Sequence, residues 1–211
     1  MNNQLLIKIC GISQPQIAAV AATAGANFIG IVFHPQSSRY VNIQQAIAIA
    51  KATVTAGAIP VAVFVNQNAN EMHNICLQTT IHTVQLHGDL SRSQHYLLPK
   101  NYTRIYVQNL LDNGHIINNI GLQYLDPGRD FILIDNTEAG SGNIINYQQI
   151  DYNLPFRWLI AGGLSAKNVN DVINYLQPHG VDVSSGVELS KGNKDCVLIQ
   201  QFIQALRGNY E

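Results

Sequence analysis

Eight short, nearly continuous apolar runs recur along this chain, and that repetition limits the fold more than any other feature of the sequence. They are LLIKIC at 5–10, FIGIVF at 28–33, PVAVFV at 60–65, TVQLHG at 83–88, TRIYVQ at 103–108, FILID at 131–135, RWLIAGG at 157–163 and GVDVSS at 180–185. A run that is apolar at successive rather than alternate positions is what a strand covered on both faces shows. Helical spacing fills the gaps at 15–24, 43–54, 69–79, 166–176 and 194–206, with weaker patterns at 91–98 and 147–150. Ser13 is placed to cap the first of these helices, and Pro15 falls in its first turn. Eight units in 211 residues average about 26 residues each, near the lower size bound of a closed barrel. The pattern therefore predicts an α/β fold, a single (β/α)8 barrel with a closed parallel eight-stranded sheet, spanning 1–211 as one domain. A doubly wound open sheet is the competitor; it needs a switch point with long connections, and the even spacing favours closure.

Charge narrows the partners. Twelve basic against 13 acidic residues leave a net charge of −1, with no electrostatic footprint for nucleic acid or an anionic membrane face. Apolar residues at 46% and charged ones at 12% supply a core and exclude a disordered chain. No basic leader followed by a long apolar segment opens the sequence, and no stretch approaches the roughly 18 apolar residues of a membrane span. The expectation is a cytoplasmic protein, a monomer or a homodimer, whose partner is a small phosphorylated molecule. Cys10, Cys76 and Cys196 are widely spaced with no Cys-x-x-Cys, so neither a disulfide framework nor a metal site is expected.

In a barrel the site lies where the strands end and the βα loops begin. Side chains two apart on a strand share a face, which pairs Lys8 with Cys10, Gln85 with His87, and Asp182 with Ser184. Cys10 is the thiol at a strand end, and a cation on the same face at Lys8 is expected to favour its thiolate. Cys76 and Cys196 fall in helical patterns and read as small buried apolar groups. Asp135 closes the apolar run FILI; a carboxyl emerging there is desolvated, which raises its pKa and suits it to donate a proton near neutrality. Arg39, in the loop after the second run, offers a fork to a carboxylate. Lys8, Gln85, His87 and Asp182 are further candidate substrate contacts. After the seventh and eighth runs, Gly162, Gly163 and Leu164, then Ser184, Ser185 and Gly186, supply exposed backbone N–H groups where barrels hold phosphate. His34, His82 and His87 lack ligand spacing; His87 reads as polar lining and the other two as surface.

Taken in order, several motifs are specific. They are KICGI at 8–12, GIVF at 30–33 after Gly25 and Ala26, SRYV at 38–41, VFVN at 63–66, VQLHG at 84–88 and LID at 133–135. AGGL at 161–164 with Asn168 and Val169, DVSSGVE at 182–188, and Lys194 with Asp195 complete the series. The sequence resembles the phosphoribosylanthranilate isomerase family over essentially the whole chain. That resemblance implies a (β/α)8 barrel catalysing the Amadori rearrangement of N-(5-phosphoribosyl)anthranilate to 1-(2-carboxyphenylamino)-1-deoxyribulose 5-phosphate in tryptophan biosynthesis. It implies Cys10 as general base, Asp135 as general acid, Arg39 at the anthranilate end and the last two loops on the phosphate. No cofactor is implied, because the iminium intermediate is itself the electron sink. Two stretches depart from the family pattern. Ser37-Ser38-Arg39 stands where the family has Ser-Pro-Arg, which removes a φ restraint and predicts a looser loop. AGSG at 139–142 and INY at 145–147 stand where the family has Gly-Gly-Thr-Gly and Phe-Asp-Trp. The alternatives are another sugar-phosphate barrel enzyme, indole-3-glycerol-phosphate synthase, and a catalytically silent phosphate-binding barrel. Cys10 and Asp135 present together argue against the second.

Overall fold

The structure is a computed structural model that describes residues 5–111, 115–117, 120–136, 150 and 152–207. All eight apolar runs form strands: β1 (Leu6–Cys10), β2 (Phe28–Val32), β3 (Ile59–Phe64), β4 (Thr83–Leu86), β5 (Thr103–Leu110), β7 (Phe131–Asn136), β8 (Arg157–Ile160) and β9 (Gly180–Val183). Their order is β4-β3-β2-β1-β9-β8-β7-β5, and β4 pairs with β5, so the ring closes. Every pairing around the ring is parallel. Closure pairs each of these eight strands on both sides, so the ring itself has no open edge. The short β6 (Ile116–Ile117) adds antiparallel to the end of β5, and β10 (Glu188–Ser190) with β11 (Asn193–Lys194) makes a separate hairpin.

Around the ring lie α1 (Pro15–Ala24), α2 (Ile43–Thr55), α3 (Ala69–Thr79), α4 (Asp89–Gln94), α5 (Val169–Leu176) and α6 (Cys196–Arg207). Reciprocal caps start two of them, Asn42 with Gln45 on α2 and Asn68 with Glu71 on α3. Ser13 does not cap α1: Gln14 holds that position without a side-chain bond, and Pro15 starts the helix with its fixed φ. The helix expected from 166 begins only at Val169, because the Asn168 side chain accepts from the Ser165 N–H at 2.8 Å and donates to the Gly163 carbonyl at 2.9 Å, making a turn. The helix expected from 194 begins at Cys196, since Lys194 belongs to β11. The weak pattern at 91–98 resolves into α4 and a 3₁₀ turn, His95–Leu97. Of the pattern at 147–150, residues 147–149 lie outside the described residues, as do the departures at 139–142 and 145–147. Among the described residues no helix is long and apolar enough to cross a membrane.

Alternation along each strand separates two cores. Outward side chains such as Ile9, Ile29, Ile31, Phe64 and Ile132 pack against the helices. Each is fully buried, which contributes about 2 kcal/mol per side chain. Inward ones, Phe28, Val61, Ile105, Phe131, Leu133 and Leu159, fill the barrel from its N-terminal end, where the Arg157 guanidinium lies 4.1 Å over the Phe131 ring. One step further toward the C-terminal end the inward layer turns polar, with Lys8, Gln85, Asp135 and Asp182 all buried. That switch from apolar fill to buried charge marks the floor of the site.

Candidate active site

The strand register delivers the site. Lys8 stands opposite Asp182 across β1 and β9, and Cys10 stands opposite Gly30 across β1 and β2. A Cβ on Gly30 would lie 2.7 Å from the Cys10 Sγ, so the thiol occupies the space that this glycine leaves. The loop after β8 turns through Gly162 at φ 95° and Gly163 at φ 66°, a left-handed pair that favours glycine. A cavity of about 280 Å³ opens at this mouth, and Cys10, Arg39, Gln85, His87, Asp135 and Asp182 line it together with Gly162, Gly163, Leu164, Ser184 and Ser185.

Three expectations change. Lys8 is not at the cavity wall: it is fully buried, and its Nζ donates to Asp182 Oδ1 at 2.9 Å. Removing either member of such a buried pair costs about 3–5 kcal/mol, because the other charge is stranded. Gly186 is likewise absent from the lining, since it packs its Cα against the Leu164 carbonyl and thereby clamps the eighth loop onto the seventh. His34, expected at the surface, is part of the cavity wall, with its Nδ1 buried. Its place one residue beyond the second apolar run was the signal for that. His82 is exposed as expected.

The electrostatics also revise the thiol. Burial pushes the Cys10 pKa above its ordinary 9.0; the Lys8 ammonium, which hydrogen-bonds to it, pulls the other way, and the Asp182 charge offsets part of that pull. Lys8 favours the thiolate as expected, but burial outweighs it and the thiol ends above its ordinary value. The Lys8 pKa itself is raised: burial lowers it, and Asp182 and Cys10 more than compensate. Asp135 behaves as anticipated. Burial, then the nearby Asp182 charge, pushes its carboxyl up to about 7, even though Asp135 Oδ1 accepts from the Asn136 N–H at 2.9 Å. On the β4 side, burial and then the Arg92 charge hold the His87 pKa down to about 4, so its ring is neutral. Gln85 Nε2 lies 3.3 Å from His87 Nδ1 and donates to it, leaving the ring proton on Nε2. The Gln85 Oε1 is a buried acceptor without a partner among the described residues.

Hydrogen bonds tie the loop of Ser37, Ser38 and Arg39 at the place where the family pattern has a proline. Arg39 N–H donates to Ser37 Oγ at 3.1 Å, while Arg39 Nε and Nη2 donate to the two Glu188 oxygens at 2.6 and 2.9 Å. The same carboxylate accepts from Lys194 Nζ at 2.6 Å and from the Gly192 N–H at 3.1 Å. Burial raises the Glu188 pKa, but the bonds from Arg39 and Lys194 outweigh it and bring the group down to about 2. Glu188 and Lys194 have no role in the sequence reading beyond their place in a motif, because their partnership with Arg39 spans about 150 residues of chain.

A closed parallel barrel whose C-terminal mouth gathers a thiol, a carboxyl held near neutrality and two glycine- and serine-bearing loops defines an acid–base enzyme of the (β/α)8 class. The comparison with known proteins agrees and is finer. The profile of the family described as N-(5′phosphoribosyl)anthranilate (PRA) isomerase matches residues 7–205. The N-(5′-phosphoribosyl)anthranilate isomerase of Chlamydia felis is 36% identical over 202 residues, covering 95% of this chain and 96% of its own. The crystal structure of phosphoribosyl anthranilate isomerase from Thermus thermophilus superposes with a TM-score of 0.82 at 25% identity, over 97% of this chain and 100% of that one. A phosphoribosyl anthranilate isomerase in complex with reduced 1-(o-carboxyphenylamino)-1-deoxyribulose 5-phosphate gives a TM-score of 0.73 at 26% identity, over 97% and 99% of the two chains. The chain belongs to the N-(5′-phosphoribosyl)anthranilate isomerase family.

Proposed function

We propose that this chain catalyses the Amadori rearrangement of N-(5-phosphoribosyl)anthranilate to 1-(2-carboxyphenylamino)-1-deoxyribulose 5-phosphate, with Asp135 as general acid and Cys10 as general base. The observation that carries the assignment of roles is that these two groups, from β7 and β1, line one cavity in a chain of this family. Asp135 gives its proton to the furanose ring oxygen as the C1′–O bond breaks, and the anilino nitrogen's lone pair forms the iminium. Cys10, as thiolate, takes the C2′ proton, and the C2′–H electron pair neutralises the iminium to give the enolamine. Tautomerisation, with C1′ gaining a proton and the 2′-hydroxyl losing one, yields the ketone. Proton transfers of this kind are worth about 10²–10⁴ each in rate. The loops at Gly162–Leu164 and Ser184–Ser185 hold the phosphate, whose binding far from the reacting carbons positions the sugar. Asp182 faces the sugar from the floor, while the Gln85 Oε1 acceptor and the neutral His87 offer it hydrogen bonds. Arg39 meets the anthranilate carboxylate through its Nη1/Nη2 end, because its Nε/Nη2 edge is taken by Glu188.

Turnover of phosphoribosylanthranilate, followed by loss of its fluorescence, tests this directly. Inorganic phosphate is expected to inhibit competitively, raising KM without changing kcat. No turnover, or inhibition that lowers kcat alone, overturns the assignment. The fit between Gly30 and Cys10 adds a second expectation. Gly30→Ala forces Sγ out of its place, and kcat is expected to fall about tenfold, since a misplacement near 1 Å is costly at a reacting group. An unchanged kcat in a folded Gly30→Ala enzyme would mean that the thiol position is not critical.

A further inference from the structure

One carboxylate behind the cavity wall, bonded to the lining residue Arg39, reaches several groups on which the proposed reaction depends. Glu188, in the hairpin of β10 and β11, accepts from Arg39 through both oxygens and from Lys194 through Oε1. The side chains of Glu188 and Lys194 are 4% and 1% exposed, so these are ion pairs out of water, where geometry is held far more firmly than at a surface. Lys194 Nζ in turn donates to the Ser184 carbonyl at 2.8 Å and to Ser184 Oγ at 3.1 Å. Ser184 Oγ donates to the Cys10 carbonyl at 3.1 Å. A single path of hydrogen bonds therefore runs from the loop after β2, through Glu188 and Lys194, to the loop after β9 and the backbone of the thiol.

The same carboxylate sets which part of Arg39 is available. A guanidinium has two edges that match a carboxylate, Nε with Nη2 and Nη1 with Nη2. Glu188 occupies the first, so the second is the edge left for a ligand in the cavity that Arg39 lines. Without Glu188 the side chain would be free to rotate about its stem, and orienting it would cost entropy at the moment of binding.

We propose that Glu188 is a positioning residue for the isomerisation: it fixes Arg39 in the orientation that reads the substrate's carboxylate, and it anchors Lys194 beneath the Ser184 loop. This rests on the functional reading above, in which Arg39 contacts the anthranilate end. Glu188 itself touches neither substrate nor reacting atoms.

The test compares two substrates on three enzymes. The substrates are phosphoribosylanthranilate and N-(5-phosphoribosyl)aniline, which keeps the amine and the sugar phosphate and lacks the carboxylate. The enzymes are the wild type, Glu188→Gln and the double variant Glu188→Gln with Lys194→Met, which removes the ammonium that the single change leaves buried without its counter-charge. In the wild type the carboxylate is expected to be worth at least about tenfold in kcat/KM, the size of a charge-assisted contact. In both variants that preference is expected to shrink to about twofold, with the loss of kcat/KM on phosphoribosylanthranilate appearing mainly in KM. A merely structural defect would lower both substrates alike and leave the preference intact, and that result overturns the proposal. If Glu188→Gln does not fold, the double variant decides by the same ratio; if neither folds, Glu188 is a folding residue and the proposal falls. A wild type that does not turn over phosphoribosylanthranilate overturns the isomerase reading as well. A wild type that does, with an unaltered preference in the variants, overturns the role of Glu188 alone.

Discussion

Cys10→Ala is expected to lower kcat by at least about 10²-fold while KM stays within about threefold. The argument is one of proton transfer. The C2′ proton has to leave toward a base within hydrogen-bond reach, and Cys10, from β1, is the cysteine that lines the cavity together with Asp135. Its Sγ packs with Val32 and Val63 in a small apolar cluster, so truncation costs on the order of 1 kcal/mol of stability and should leave the fold standing. A thermal melt beside the kinetics separates the two effects. Cys10→Ser is expected not to restore the rate, since a hydroxyl in the same buried place ionises still less readily than a thiol whose pKa burial has already raised. A kcat within a few fold of wild type in the alanine variant would remove Cys10 from the mechanism.

The sequence made the barrel legible because its parallel strands are covered on both sides, and a strand such as FILI at 131–134 cannot hide among helices or loops when eight of its kind recur at even spacing. Helix starts were less legible. Asn168 and Lys194 each bear helix-compatible patterns nearby, but one folds its amide back on Gly163 and the other joins a hairpin to reach Glu188, and both choices depend on loops brought together only by closure. At the site, position along a strand was readable from the two-residue period, which paired Gln85 with His87 and Asp182 with Ser184. What a charge faces was not readable. Lys8 beside Cys10 on one face suggests a cation serving a thiol, yet the register of β1 with β9 gives that cation to Asp182 first. Arg39 reads as a fork for a ligand, yet half of that fork belongs to Glu188. Gly30 reads as an ordinary strand residue until its neighbour's sulfur is seen to fill the missing Cβ.

Asp135→Asn should match the loss at Cys10 in size and differ from it in pH dependence. The amide keeps the shape of the carboxyl but cannot deliver a proton to the ring oxygen, so kcat is expected to fall about 10²-fold or more with binding nearly intact. The pH profile carries the mechanism. The reaction needs one proton on the pair, on Asp135, with Cys10 ionised. Burial places Asp135 at about 7 and Cys10 above its ordinary 9.0, so the pair holds a single proton between these two values. In the wild type kcat/KM is therefore expected to rise with pH through about 7, hold, and fall above pH 9.0. Within that window most of the shared proton sits on the thiol, and only the minor form with the proton on Asp135 reacts. With Asn at 135 the pair no longer exists: the residual rate is expected to climb with the ionisation of Cys10 alone and to show no alkaline fall. Stability gives an independent check of the same desolvation. A carboxyl whose folded pKa is raised from 3.8 to about 7 binds more protons folded than unfolded, so it destabilises the fold as pH rises through that interval. The full penalty, on the order of 4 kcal/mol, is present only above about pH 7. The asparagine variant carries no such charge, and its melting temperature is expected to exceed that of the wild type at pH 8 and to converge with it toward pH 4. An Asn variant that keeps its kcat and its alkaline limb would show that Asp135 only holds substrate and that the acid lies elsewhere in the cavity.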